Sequence, residues 1–346
     1  MPTTVRDERP RAPRRARARA LRRVRGRPLL DARRRALRGV RARVRALYGF
    51  SRGTQATLSV AQPLLGAMLA TGGTPPPGRL GLCAACCLAG YFAVFAANDL
   101  IDARLDRERF AYLRAYQCFD IDSAGGRHPL ARGRLPMAAA VAWVAGLGAL
   151  ALALAALLSW MCAALLAAAA LLEAVYCALA RVTPFKFLVS GVMVALGGCL
   201  GWFAMTPEAD RPLLWLLCLW LAAWEIGGRN IVNDWADVEE DVHLGVRTVP
   251  VVYGYRVSGL LTLACLLVTA AAGAALAAAA WPFPGGALLG AAAALLAGLH
   301  ALLAPGLRLL RAPDPCNAMA LFNRASLYPV TTLAIAACGQ AAAHWP

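Results

Sequence analysis

The sequence predicts an all-α integral membrane protein, a bundle of nine transmembrane helices. Three observations lead to it. First, the 346 residues are 60% hydrophobic and 16% charged, with a mean hydropathy of +0.55. A soluble domain carries about 25% charge and roughly 45–50% apolar residues, and a disordered chain has low hydrophobicity, so both classes are excluded. Second, the apolar residues gather into runs of about 20, the length of a helix that crosses a bilayer. Third, the basic residues concentrate in alternate loops, as they do on the cytoplasmic side of membrane proteins.

The formal net charge of +17 is carried mostly by residues 1–46, where 18 arginines stand against Asp7, Glu8 and Asp31. This tail reads as disordered or as a surface helix, and residues 47–346 as the membrane domain. Nucleic-acid binding, an organelle transit peptide and a cytoplasmic flank of the first span are all readings of such a tail. Beside an apolar body the flank is the plainest, and no nucleic-acid partner is expected. No short apolar segment with a cleavage site follows, so a secretory signal is not expected.

The spans run approximately over 53–71, 80–97, 137–158, 160–180, 187–205, 212–232, 257–281, 285–304 and 325–343. Alanine and glycine are abundant in them, as expected where helices approach closely in lipid. Junctions at Ser159 and at Pro282–Pro284 leave room only for tight hairpins. With the N-terminus inside, the inner loops hold most of the remaining arginines and the outer loops only Arg79 and Arg211. Nine of the eleven cysteines lie inside apolar stretches. They read as small buried hydrophobes, and no disulfide framework is expected.

Two inner loops hold most of the acidic residues of the membrane domain. NDLIDARLD contains Asn98, Asp99, Asp102 and Asp106; NDWADVEED contains Asn233, Asp234, Asp237 and Asp241. Both follow N-D-x-x-D-x-x-x-D. On a helix, Asp99, Asp102 and Asp106 share a face, and Asn98, Asp102 and Asp106 form an equally coherent stripe. Clustered carboxylates repel unless a cation sits between them. Oxygen-only ligands select hard cations, and Mg²⁺ is held by one or two carboxylates plus substrate phosphates. Two facing clusters would clamp an anionic diphosphate through Mg²⁺. Solvated helix ends at the membrane surface are the bland reading, and the repetition of one pattern after the second and sixth spans argues against it. Arginines follow both motifs: Arg127, Arg132 and Arg134 after the first, Arg247 after the second. They suit phosphate oxygens, although the inside-positive bias alone would also put them there. Lys186 is the chain's only lysine, and that exception favours a role at the site.

With NDLIDARLD, RHPLARGRL and DVEEDVHLGVRTVPVVYG the sequence resembles the UbiA superfamily of intramembrane prenyltransferases over roughly residues 50–343. The resemblance implies a nine-helix bundle around a central cavity, capped on the cytoplasmic side by the aspartate-rich loops. It implies Mg²⁺ ligated by Asn98, Asp102, Asp106, Asp237 and Asp241, with Arg127, Arg132, Arg134, Lys186 and Arg247 around the diphosphate. Asp102, Asp237, Arg132 and Lys186 would carry the catalysis. Asp99, Asn233, Asp234 and Glu225 are additional candidates.

There are departures. Arg127 follows Asp106 by 21 residues, a longer link than the family's, with Asp120 and Asp122 unassigned in it. The family's span-four tyrosine and lysine, four apart, are here Tyr176 and Ala180, with Lys186 further on. Glu173 and Glu225 lie in or near spans four and six, where an acid is a functional candidate. Glu225 either lines the cavity below the metals or pairs with Arg229 at i+4. Trp202, Phe203, Trp220 and Trp224 read as carbocation-facing rings or as interfacial anchors. Asn323 and Arg324 are assigned to the cap, and His243 reads as a bystander.

The expected activity is transfer of an isoprenyl chain from its diphosphate to an aromatic or lipid acceptor, with an allylic cation between. A membrane terpene cyclase, acting without an acceptor, is the alternative within the superfamily. A divalent-cation transporter is the alternative of another class, and it expects acids near mid-span, whereas these cluster at one membrane face.

Overall fold

The computed structural model describes residues 39–101, 103, 118–121, 126, 128–209, 211–281 and 283–343. Two units separate at Arg45/Ala46. The described part of the first, residues 39–45, is helical and exposed; the rest of the arginine tail lies outside the described residues. Everything below concerns residues 46–346, where no strand occurs among the described residues.

The bundle runs α1 (Gly53–Ser59), α2 (Ala61–Ala70), α3 (Pro77–Ile101), α4 (Met137–Leu158), α5 (Trp160–Leu179), α6 (Lys186–Phe203) and α7 (Pro212–Trp224). A π-helical turn, Glu225–Asn230, leads into α8 (Ile231–Ala236) and α9 (Val238–Leu244). Then come α10 (Val249–Ala279), α11 (Pro284–Gly298), a second π-turn at Leu299–Leu303, α12 (Ala304–Arg311) and α13 (Pro315–Ala343). Local chemistry sets the ends. Ser159 is extended between α4 and α5, and its hydroxyl accepts from the Cys162 N–H at 3.1 Å, so one N-cap residue makes the whole hairpin. Prolines open α7 and α11, where a missing N–H costs nothing. Gly245, at φ 67°, closes α9 in the left-handed conformation glycine adopts freely.

Neighbours in sequence pack side by side from α2 to α7; α7 then packs on α10, α10 on α11, α11 on α13, and α13 returns to α2. The ring is crossed by α2 lying on α6. That crossing is tight because both helices present glycines: a Cβ on Gly201 of α6 would overlap the Pro63 carbonyl, and one on Gly66 of α2 would overlap the Gly198 carbonyl. Small residues permit this approach where lipid offers no hydrophobic drive between helices.

Six helices among the described residues are long and apolar enough to cross a membrane: Pro77–Ile101, Met137–Leu158, Trp160–Leu179, Lys186–Phe203, Val249–Ala279 and Gly285–Arg311. The other three expected spans take different forms. Residues 53–71 divide into α1 and α2 at Val60, and 212–232 divide at the first π-turn. Residues 325–343 are the second half of α13, diluted by polar side chains. Ser326, Thr331 and Thr332 turn their hydroxyls back onto carbonyls of their own helix, and Gln340 donates to the carbonyl of Ala280, the residue that caps α10.

Two expectations are corrected. Cys118 and Cys316, the two cysteines outside the apolar runs, are joined in a disulfide with a Cα–Cα separation of 5.3 Å. A separation of 198 residues gives no spacing signal, so the sequence could not pair them. Trp202, Trp220 and Trp224 are neither cavity rings nor surface anchors: all three are buried in the core with Leu217, Leu221 and Tyr328. The indole N–H groups of Trp202 and Trp224 donate to the carbonyls of Glu208 and Ala325, each at 2.8 Å.

Gly201→Ala should destabilise the α2–α6 crossing by about 1–3 kcal/mol through overpacking, read as a lower thermal midpoint in detergent. Gly148→Ala, whose Cβ meets nothing within 4 Å, should leave the midpoint unchanged or raise it.

Candidate active site

The C-terminal half of α3, the inner faces of α5 and α6 and the run from the π-turn through α9 converge on a cavity of about 290 Å³. Asn98, Glu173, Tyr176, Lys186, Asn233, Asp234, Asp237 and Asp241 line it, as do Ser190, Glu225, Arg229 and Asn230; Leu165, Leu166, Val194, Leu196 and Leu200 supply apolar wall. At about 1.5 Å per residue, Arg229 and Glu225 lie on the order of 12 and 18 Å along the helical run before Asp237. The cavity is therefore ionic at one end and apolar beyond, with a polar belt between.

Asp99 organises the first motif. Its Oδ1 accepts from the Arg52 guanidinium at 3.1 Å, and its Oδ2 lies 3.8 Å from His128 Nδ1. Arg52 and His128 are the non-glycine residues with positive φ among those described, 44° and 54°. Left-handed backbone costs a non-glycine residue about 1–3 kcal/mol, so both strained residues point at one buried carboxylate. Asp99, an additional metal candidate, thus spends both oxygens on protein partners and does not line the cavity. Its neighbour Asn98 does: its Oδ1 accepts from Arg52 at 3.4 Å, and its Nδ2 donates to Glu173 Oε1 at 2.9 Å.

The second motif is organised by Lys186. Its Nζ stands 3.4 Å from Asp234 Oδ1 and 5.0 Å from the centre of the Tyr176 ring. Tyr176 OH in turn accepts from Asn230 Nδ2 at 3.0 Å. A lysine from α6 thereby meets the tyrosine of α5, although Ala180 stands four residues after that tyrosine. Just past the end of the 212–232 run, burial pushes the Asp234 carboxyl up to about 6, against the pull of Lys186. Asn233 Nδ2 donates to Asp237 Oδ2 at 3.4 Å, and Asp237 and Asp241, one turn apart, both line the cavity.

Between the ionic end and the apolar wall lies the π-turn. Glu225 Oε1 accepts from Ser190 at 2.8 Å, and its Oε2 lies 3.9 Å from Arg229 Nε. The guanidinium sits between the rings of Trp224 and Phe322, 5.2 and 5.0 Å from their centres. Gln55, with its amide carbonyl turned toward Arg229, accepts from the same guanidinium. Glu225 therefore both lines the cavity and pairs with Arg229.

Asp102, Asp106 and Arg127, together with Asp122 and most of the segment between the motifs, lie outside the described residues. Asp120 is buried. Arg132, Arg134 and Arg247 are exposed and do not line the cavity, and neither does His243. Asn323 holds the inter-motif segment: its Oδ1 accepts from the Ile121 N–H and its Nδ2 donates to the Phe119 carbonyl. Arg324 donates to the His300 carbonyl. Sequence reasoning passed over Arg52, Gln55, Ser190 and Asn230, and also Gln62, which lines the cavity. One signal was there: Gln55, Ser59 and Gln62 repeat at offsets of four and three, a polar stripe along the apolar first span.

The carboxylate and amide oxygens at the ionic end are hard donors. Among the described residues no three His, Cys, Asp or Glu side chains are grouped to enclose a metal on their own. Such a set fits Mg²⁺, which takes one or two carboxylates and completes its shell with water and substrate phosphates.

Residues 59–328 match the model of the UbiA prenyltransferase family. A digeranylgeranylglyceryl phosphate synthase of Methanopyrus kandleri is 30% identical over 147 residues, which cover 41% of this chain and 52% of that protein; the match thus spans about half the relative's length. The apo structure of a UbiA homologue from Aeropyrum pernix superposes with a TM-score of 0.64 at 19% identity, covering 84% of this chain and 98% of that one. A UbiA homologue from Archaeoglobus fulgidus, bound to DMAPP and Mg²⁺, gives a TM-score of 0.60 at 15% identity over 84% and 98% of the two chains.

Lys186 and Asp234 are both buried, and removing one partner of such a pair costs about 3–5 kcal/mol because the other charge is stranded. Lys186→Met alone should lower the thermal midpoint sharply, whereas Lys186→Met with Asp234→Asn should recover most of it. A double-mutant cycle in detergent measures the coupling.

Proposed function

The chain belongs to the UbiA prenyltransferase family, and from that premise we propose that it is a Mg²⁺-dependent intramembrane prenyltransferase. It moves an isoprenyl chain from its diphosphate to an acceptor. The observation that carries this reading is the cavity itself: Asn98 of the first motif, Asp234, Asp237 and Asp241 of the second and the chain's one lysine meet at its ionic end, and apolar wall continues beyond them. A diphosphate and its lipid tail have that same polarity. The Mg²⁺ and DMAPP held by the Archaeoglobus homologue support the choice of ligand.

In this reading Asn98, Asp237 and Asp241 hold Mg²⁺ with the diphosphate, joined by Asp102 and Asp106. Bound Mg²⁺ supplies neutralisation of charge on the leaving oxygens. Lys186 faces the diphosphate from α6, preorganised by Asp234 and Tyr176, and Arg52 does so beside Asn98. Fixed cations aimed where negative charge develops lower the barrier to ionisation. Arg127, Arg132, Arg134 and Arg247 belong to the approach, gathering the anion. The apolar wall takes the isoprenyl tail and keeps water from the allylic cation. The inside-positive pattern of the loops supports a cytoplasmic N-terminus and a cavity open on the cytoplasmic side. The acceptor is a lipid or an aromatic; the name of the Methanopyrus relative favours a lipid with a glyceryl phosphate head.

Purified protein incubated with Mg²⁺ and labelled geranyl or geranylgeranyl diphosphate should release diphosphate. Asp102→Ala and Asp237→Ala should each lower that release by roughly 10²-fold or more, without loss of membrane insertion. Excess EDTA should abolish it. Full turnover in EDTA would overturn the reading.

A further inference from the structure

Glu173 is an acid inside an apolar span, and neither aspartate motif contains it. Helix α5 buries little of its surface: Cys162 and Glu173 are its buried residues. An acid carried into a span at such cost is kept for a partner. That partner is Asn98 of the first motif, whose Nδ2 donates to Glu173 Oε1 at 2.9 Å, and both residues line the cavity. Cys177, one turn further along α5, closes the group. Its Sγ stands 3.6 Å from Asn98 Nδ2 and 3.6 Å from Glu173 Oε1. Tyr176 beside it reaches the other way, to Lys186 and Asn230. One turn of α5 therefore touches the first motif and also the lysine that meets the second.

A side-chain amide is nearly symmetric in shape, so its neighbours decide which end faces which way. A carboxylate only accepts and a guanidinium only donates. Asn98 gives its Nδ2 to Glu173 at 2.9 Å and turns its Oδ1 toward Arg52 at 3.4 Å, so both neighbours select one orientation. The carboxylate is the closer of the two. At 3.4 Å the guanidinium lies at the long edge of hydrogen bonding, and a carbonyl oxygen has a second lone pair to offer. The second motif is built differently. There Asn233 gives its Nδ2 to Asp237 of its own motif, so that amide serves a carboxylate, whereas Asn98 is served by one.

Resting on the transferase reading above, we propose that Glu173 is a positioning residue of the metal site. It holds the Asn98 amide by its N–H, so that Oδ1 is the atom presented to Mg²⁺. The carboxylate acts through Asn98 and not on the ion. Without it the amide is free to turn its N–H, the positive end of its dipole, toward the cation. Partners that orient a metal ligand in this way are worth about 10–100-fold in metal affinity.

Two readouts test this on the full chain in detergent. One is the dissociation constant for Mn²⁺ alone, from the free-ion signal in electron paramagnetic resonance. The other is the Mg²⁺ concentration that gives half-maximal diphosphate release from saturating geranyl diphosphate. Glu173→Leu should raise both by about 10–100-fold, while the rate at saturating Mg²⁺ falls far less. Glu173→Gln, whose amide carbonyl accepts in the same place, should restore most of the affinity. In an Asn98→Ala background, Glu173→Leu should add no further rise. A folding fault lowers the number of binding sites and leaves the constant where it was. Unchanged constants in Glu173→Leu overturn the proposal. A loss in Glu173→Gln as large as in Glu173→Leu overturns it too, because the charge would then act on the ion directly, and so does an equal rise in the Asn98→Ala background. If wild type releases no diphosphate from geranyl diphosphate, it is the transferase reading that fails.

Discussion

A carboxylate carried into an apolar helix bundle has to be answered by a cation or by donors, and the architecture at the ionic end of the cavity follows from that constraint. Two opposite charges about 4 Å apart attract by roughly 4 kcal/mol at an effective dielectric of 20, and the cost of stripping water from both is of similar size. The pairs therefore add little net stability; what they add is position. Asp99 draws Arg52 and His128 out of relaxed backbone and stitches the start of the first span and the inter-motif loop to α3. Asp234 draws Lys186 and so fixes the start of α6 against α8. Glu225 and Arg229 pair within one turn and fix the shape of that turn instead.

The glycines make these meetings possible. Gly198 and Gly201 let α6 lie against α7 and α2, which brings Lys186, at the head of α6, to within 3.4 Å of Asp234. A bulkier stripe would push α6 outward and leave both charges without partners in a low dielectric. Close packing in the body of the bundle and electrostatics at its end are thus one problem with one solution, and the tryptophans belong to it. Trp220, Trp224 and Trp235 fill the volume beside α7 and α8 that the glycines leave open elsewhere.

The sequence made the helical membrane class legible because burial in lipid demands long apolar runs, and those survive any reading frame of the loops. It made the motifs legible because acids are rare in such a chain and their repetition is visible. It did not reveal the π-turn at Glu225–Asn230, which arises from packing against partners with no proline to announce it; the division at Val60 did have a signal, Pro63, which lacks the N–H that would reach the Ser59 carbonyl. It did not reveal Arg52 either. That residue sits beside a basic tail and looks like its last member, whereas its partners Asn98 and Asp99 are 46 and 47 residues away. The disulfide had no signal, and the tryptophans gave the wrong one, since an indole near the end of a span reads as an anchor until its N–H is seen to reach a carbonyl in the core.

The repeated motif also changes meaning once its partners are known. Read as a string, N-D-x-x-D-x-x-x-D is a row of equivalent carboxylates, and the face they share on a helix is a metal face. In the structure the second position is set apart in both copies: Asp99 is met by Arg52 and His128, Asp234 by Lys186. A carboxylate already neutralised by a protein cation is a poor ligand for a divalent one, because the incoming metal must overcome the charge that compensates it. The later positions of the second copy, Asp237 and Asp241, line the cavity, and Asn233 donates to Asp237. The motif therefore divides its labour along its length. The second position supplies electrostatic anchorage in both copies, and in the second copy Asp237 and Asp241 face the cavity, where the proposed function would place a cation bridging to phosphate. Retaining an aspartate at that second place, rather than an apolar residue, is what allows Lys186 to be buried at the site as a charge at all.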